Sequence, residues 1–227
     1  MEAFYEKEVD CPCCGHKFHT LRVRSRFAAP YKIDSDFCPH FKDGTPNPHF
    51  YYVRVCPECG FAFTDEFSKS FPSGTKEIIN AKISYEWKKQ DFGQLRDAHK
   101  AIESLKLAIY SATLKKEKHA VLAGLCLRLA WIYRTEDKLE EESRFLKLAL
   151  QEYEASYTYS DFNGTSMSEL RVLFLIGELY RRLGQYTKAI SYFSKIVEHP
   201  MRDEEPKILN MARTQWQITV EENRNSH

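Results

Sequence analysis

Two copies of one five-residue turn, Cys11-Pro12-Cys13-Cys14-Gly15 and Cys56-Pro57-Glu58-Cys59-Gly60, limit the fold of this chain more than any other feature. Each turn carries two thiols on a bend whose glycine accepts a backbone conformation that other residues resist, so both sulfurs converge on one point. Cys11, Cys14, Cys56 and Cys59 together form a four-thiolate cage for a metal ion if the turns meet. Between Cys14 and Cys56 lie 41 residues, more than the roughly 15–20 that a compact pair of C-x-x-C turns uses. The surplus, residues 27–49, must leave the clasp and return to it.

The segments flanking the turns read as strands. Phe18, Thr20, Arg22, Arg24 and Arg26 alternate with Leu21 and Val23, and Phe50 to Val55 and Phe61 to Thr64 are aromatic and β-branched. Each turn is thus expected at the tip of a hairpin, a zinc-ribbon-like arrangement, and a module this small needs the ion to stay folded. Zinc in a closed structural role is the expected metal, with a rubredoxin-type iron site as the alternative, because four tetrahedral thiolates suit both. Cys13 reads as a spectator at the variable position of its turn.

The insert, rich in proline (Pro30, Pro39, Pro46, Pro48), reads as irregular extended chain. It contains Asp34-Ser35-Asp36-Phe37-Cys38-Pro39-His40, in which two carboxylates, a thiol and an imidazole fall within seven residues. Asp34, Asp36, Cys38 and His40 are a candidate second metal or active site, with His16, His19 or His49 as further ligands. The simpler account makes Cys38 a buried small hydrophobe and the two aspartates turn caps.

Charge excludes little and promises little. Lys plus Arg number 33 against 32 Asp plus Glu, and residues 1–75 carry nine basic and ten acidic groups. A phosphate-binding face on Arg22, Arg24 and Arg26 would have to act against a module that is not basic, so nucleic acid is a disfavoured partner. The first eight residues hold three acids and no apolar run of the kind an export signal needs, and the longest nearly uncharged stretch, 120–133, is too short to span a bilayer. With seven cysteines, four of them in C-x-x-C turns, metal ligation in the cytoplasm is the expectation rather than a disulfide framework.

Past Phe71-Pro72-Ser73-Gly74 the alternation stops and helical periodicity takes over, dividing a metal-binding module, 1–74, from a helical domain, 75–227. The periodicity predicts helices over 76–90, 94–116, 118–134, 138–157, 167–183, 186–198 and 206–222. Asp137 with Glu140 and Ser166 with Glu169 have capping-box spacing, and Pro206 suits a first helical turn. Leu173, Ile176, Gly177, Tyr180, Ala189 and Phe193 match a tetratricopeptide pattern, with a weaker copy at Cys126, Leu129, Ala130 and Tyr133. In that pattern Gly177 and Ala130 permit close helix approach, Tyr180 and Tyr133 fill grooves, and Cys126 is core. The fold class is therefore α+β, a small zinc-ribbon-like β module followed by an all-α tetratricopeptide-like repeat domain. The pattern's inner positions place Arg134, Arg171, Phe174, Glu178 and Arg181 on a concave face, where arginines suit a carboxylate or phosphate of a bound peptide.

The order of these motifs resembles a family of bacterial proteins of unknown function with paired CPxCG knuckles, an S-D-F-C-P string between them and a tetratricopeptide-like tail. The matching strings are Cys11 to Gly15, Ser35 to Pro39 and Tyr52 to Gly60. The resemblance implies a fold and no activity, and it gives Asp36 and Cys38 added weight. The functional expectation is a non-enzymatic zinc-binding adaptor that holds a protein or peptide partner. A metalloenzyme or thiol-redox protein built on the insert is the alternative, and nucleic-acid binding through the arginine row a third reading.

Overall fold

A computed structural model describes residues 3–225. The first seven-residue strand, β1 (Phe4–Asp10), pairs antiparallel with β2 (Lys17–Val23), in register from Phe4 opposite Val23 to Asp10 opposite Lys17. The first knuckle is the turn between them. The insert contributes a two-residue pair, β3 (Lys32–Ile33) with β4 (Pro39–His40), and the second knuckle joins β5 (Arg54–Val55) to β6 (Ala62–Phe63). Both knuckles thus sit in hairpins, as the alternation predicts. Apart from β3, β4 and short 3-10 turns at either end, the insert is irregular.

Helices follow from Gly74 on: α1 (Thr75–Ile79), α2 (Ala98–Lys115), α3 (His119–Thr135), α4 (Leu139–Tyr159), α5 (Glu169–Arg182), α6 (Tyr186–Glu198) and α7 (Pro206–Asn225). Five of the seven predicted spans agree closely. The span 76–90 instead ends in a π-helical turn at Ser84, because Trp87 turns back to donate its indole N–H to the Pro57 carbonyl at 2.9 Å. The span 94–116 begins later, at Ala98, where the Asp97 side chain accepts from the Lys100 N–H. Pro206 opens α7 as expected.

The two predicted capping boxes do not form. Asp137 lies in the left-handed region (φ 54) within the link between α3 and α4, which a short polar side chain tolerates. The cap of α5 is Ser168, accepting from Arg171 N–H, rather than Ser166.

Each helix from α2 to α7 packs against the next, and three-residue links such as 136–138 make neighbours antiparallel. On α2 the inward positions Ala101, Leu105, Ala108 and Ala112 are fully buried. The small side chains of the three alanines let β5 and β6 lie against that helix, and Ser111 Oγ accepts the Ala62 N–H at 3.1 Å. On α5, Gly177 has no room for a side chain, since a Cβ there would lie 2.8 Å from the Phe193 ring. Tyr133 stacks on Phe145 and Tyr180 on Tyr192, with centroids 5.5 and 5.6 Å apart.

The main apolar core runs without a break from Cys38, Val53, Val55 and Ala62 into helices α2 to α7, with Cys126 inside it. A second, smaller cluster joins Cys11, Cys56 and Cys59 to Phe18, Phe61, Phe63, Ile79 and Ile83, so α1 and its π turn cover the knuckles. The fold is mixed, with small antiparallel strand pairs ahead of a helical C-terminal part. Among the described residues no helix is long and apolar enough to cross a membrane.

Candidate metal centre

The two knuckles repeat one hydrogen-bond scheme. In the first, Cys11 N–H donates to His16 O (2.9 Å) and Gly15 N–H to Cys11 O (2.8 Å); in the second, Cys56 N–H donates to Phe61 O (3.0 Å) and Gly60 N–H to Cys56 O (2.9 Å). Gly15 and Gly60 both occupy the left-handed region, at φ 78 and 72, where glycine alone is unstrained. Prolines 12 and 57 open the two turns.

These turns face each other and bring Cys11, Cys14, Cys56 and Cys59 together, all four Sγ atoms within 4.8 Å of one another. The cross-knuckle pairs Cys11–Cys59 and Cys14–Cys56 are each 3.7 Å apart. Four thiolates about 2.3 Å from a tetrahedral ion have edges of about 3.8 Å, which the two cross-knuckle pairs match, so the donor set fits a metal. Cys11, Cys56 and Cys59 are buried and Cys14 is exposed. Hydrogen bonds among the thiols, those from Cys11 and Cys59 first, pull Cys56 down to about 2, while those from Cys11, Cys13 and Cys56 push Cys59 up. A divalent cation held by Cys11, Cys14, Cys56 and Cys59 would remove that competition and stabilise all four as thiolates. Cys13 stands outside the four, half-buried, and its side-chain hydrogen bond to Cys59 lowers it.

Around the insert, the aspartates separate. Asp34 lies with Cys38 and His40, their ligand atoms within 4.8 Å of one another. Its Oδ2 meets His40 Nε2 at 2.8 Å and Arg134 Nη1 at 3.0 Å, and its Oδ1 meets Lys32 Nζ at 2.9 Å. Burial opposes its charge, but the hydrogen bonds from His40 and Lys32 hold it well below the usual carboxylate range. Cys38 is fully buried, and burial pushes its thiol up to about 12 against the pull of Arg134.

Asp36 does not join that group. Its fully buried carboxylate accepts Arg134 Nη1 (3.0 Å) and Nη2 (2.7 Å) in a fork and the Trp131 indole N–H at 3.1 Å, and it forms an ion pair with Arg182 Nη2 at 3.2 Å, a nitrogen that donates to Ser35 Oγ. Beside it, Ser35 donates to Glu178 Oε1 at 2.6 Å, and Phe37 tilts against Phe174 at 5.6 Å.

Among the described residues, none of the three histidines thought to assist joins the group of Asp34, Cys38 and His40. His16 stacks on Phe18, His19 sits 3.9 Å from Glu8, and His49 meets the Trp131 ring edge-on at 5.4 Å. Arg134, Phe174 and Glu178 do converge, but on the chain's own Asp34–Phe37 segment. Arg134 also binds Glu142 at 2.7 Å, Arg181 binds Glu178 and Glu222, and Arg171 stands apart, paired with Glu205 at 3.0 Å.

The arginine row does not form one strand face, because β2 ends at Val23. Arg22 pairs with Asp65 at 2.8 Å, Arg24 lies over the Tyr5 ring and Arg26 over Phe27. Sequence reasoning passed over Trp131, Arg182 and Lys32. Arg182 stands four residues after Glu178, a helical spacing at which the two bond at 2.8 Å, and that was the available signal.

No curated protein and no solved structure matches the chain. A family model, "Uncharacterized protein conserved in bacteria (DUF2225)", matches residues 4–219. That span takes in both knuckles, the insert between them and the helices that receive it, so the chain belongs to this bacterial family.

Proposed function

We propose that the chain is a zinc-clasped cytoplasmic scaffold with no reaction of its own, whose tetratricopeptide-like helices hold a protein or peptide partner. The observation that carries the reading is the closed set of four sulfurs. When bound there, an ion supplies a cross-link and charge compensation, and four protein ligands leave a tetrahedral metal no position for a substrate. The close approach at Gly177 and the stacked tyrosines Tyr133 and Tyr180 are what a tetratricopeptide-like hairpin uses. Elemental analysis of the purified chain tests the reading, with one zinc and no iron expected per chain, and loss of that zinc in Cys56→Ser. Stoichiometric iron with thiolate-to-iron absorption would replace scaffold with electron transfer.

The convergence of Asp34, Cys38 and His40 favours a second reading, a metal or thiol site in the insert. Lys32 and Arg134 already neutralise Asp34 there, which lowers the demand for a cation. A second metal equivalent that disappears in His40→Ala would favour this reading over the scaffold.

A further inference from the structure

The segment Asp34–Phe37 is held the way a peptide ligand is held. A buried carboxylate sits in the fork of Arg134 with Arg182 and Trp131 around it, a hydroxyl bonds Glu178, and an aromatic ring meets Phe174. The receiving side chains come from two elements, α3 and α5. Charge-assisted, two-pronged recognition of a carboxylate followed by an apolar contact is recognition chemistry.

The resident occupant fits imperfectly. Phe37 is held at φ 68, a left-handed conformation that costs a non-glycine residue energy which a freely chosen linear segment avoids. Beside its ring lies a cavity of about 490 Å³ lined by Met167, Leu175, Ile208 and Met211 and also by four charged residues, Arg171 among them. A site of that size and lining accepts a larger apolar group than Phe37 supplies. Within the insert β3 and β4 pair only with each other, over two residues, and Tyr31, Lys32 and Ile33 ahead of Asp34 are exposed.

We infer that the α3–α5 groove is a peptide-binding site for an extended segment bearing a carboxylate followed by a large aromatic residue, and that the insert is its intramolecular stand-in. A partner of that chemistry displaces Asp36 and Phe37, places its own carboxylate in the Arg134–Arg182 clamp and extends its aromatic ring into the cavity. This rests on the scaffold reading and names the partner class that reading leaves open.

The probe is a fluorescent peptide with the sequence of residues 31–41, carrying Cys38→Ser to prevent oxidation and Phe37→Trp to fill the cavity. The full-length metal-loaded chain with Asp36→Ala is expected to bind it at least about tenfold more tightly than the unaltered chain, because the resident no longer competes. The same peptide with Asp36→Asn, or a second change Arg134→Ala in the protein, is expected to abolish binding. A folded Asp36→Ala chain that ignores the peptide, or binds the asparagine form equally, overturns the inference.

The unaltered chain gives an independent measurement should Asp36→Ala fold poorly. Excess peptide is expected to accelerate amide exchange of residues 34–40 while α3 and α5 keep their protection, and unchanged exchange overturns the inference. Either negative result leaves the scaffold reading intact, since metal stoichiometry decides that separately.

Discussion

Gly15 and Gly60 hold equivalent places in their knuckles, yet the structure separates them. Both require positive φ, so alanine costs either position about 1–2 kcal/mol. Only Gly60 is also covered, since a Cβ there would lie 2.5 Å from Trp87, whereas nothing comes within 4 Å at Gly15. Gly60→Ala is therefore expected to lose a further ~1–3 kcal/mol through displacement of the indole. Urea unfolding of the two variants side by side checks the ranking, and equal losses would refute the role given to Trp87.

His49 offers a pH prediction at the same scale. Its Nδ1 is sealed from solvent without a hydrogen-bond partner, and burial, aided by the charge of Arg128, pushes it down to about 3. In the unfolded chain the ring titrates near its ordinary value of about 6.5. Between those values the unfolded state holds a proton that the native state lacks, so stability is full above about pH 6.5 and falls as the pH drops toward 3. From pH 7.5 to 5.5 the unaltered chain should lose about 1.4 kcal/mol relative to His49→Phe. Parallel denaturation curves at the two pH values read this directly, and a pH response shared by the variant would remove His49 from the account.

Among elements, α5 carries the clearest contrast. Ser168 caps it by accepting the Arg171 N–H at 3.2 Å, so Ser168→Ala should cost about 1 kcal/mol, while Ser166→Ala should leave the melting temperature unchanged. The reverse outcome would restore the capping box that the spacing suggests. The helices were legible because apolar periodicity is a local signal, and Gly177, Tyr133 and Tyr180 were legible because their partners sit one helix away. The knuckle pair was legible because it is one motif written twice. The fate of Asp36 was not: its partners Trp131 and Arg134 lie 95 and 98 residues farther along the chain, and no local pattern encodes a contact at that separation. The helix expected to reach residue 90 failed for a similar reason, since the pull of Pro57 on Trp87 spans 30 residues.

At the scale of the molecule, two fastenings act on one loop. The cysteine cluster brings its ends together, at Cys14 and Cys56, and the Arg134–Arg182 clamp ties its middle. The main core includes Val53, Val55 and Ala62 together with α2 to α7, whereas the knuckles belong to the smaller cluster under α1. Chelation is therefore expected to free β1 and β2 and leave the helices folded. Far-UV circular dichroism should fall little, while cleavage by trypsin at Arg24 and Arg26 accelerates. A single cooperative loss of all helical signal on chelation would show instead that the ion supports the entire chain.

The long sequence separation of the clamp has a consequence for synthesis. Both knuckles are synthesised before α3 and α5, so the thiols precede the guanidinium groups of the clamp along the growing chain. During that interval Asp36 has no guanidinium to meet and stays hydrated on an open loop. Synthesis order alone therefore leaves the acidic segment without its clamp until α3 and α5 have been made.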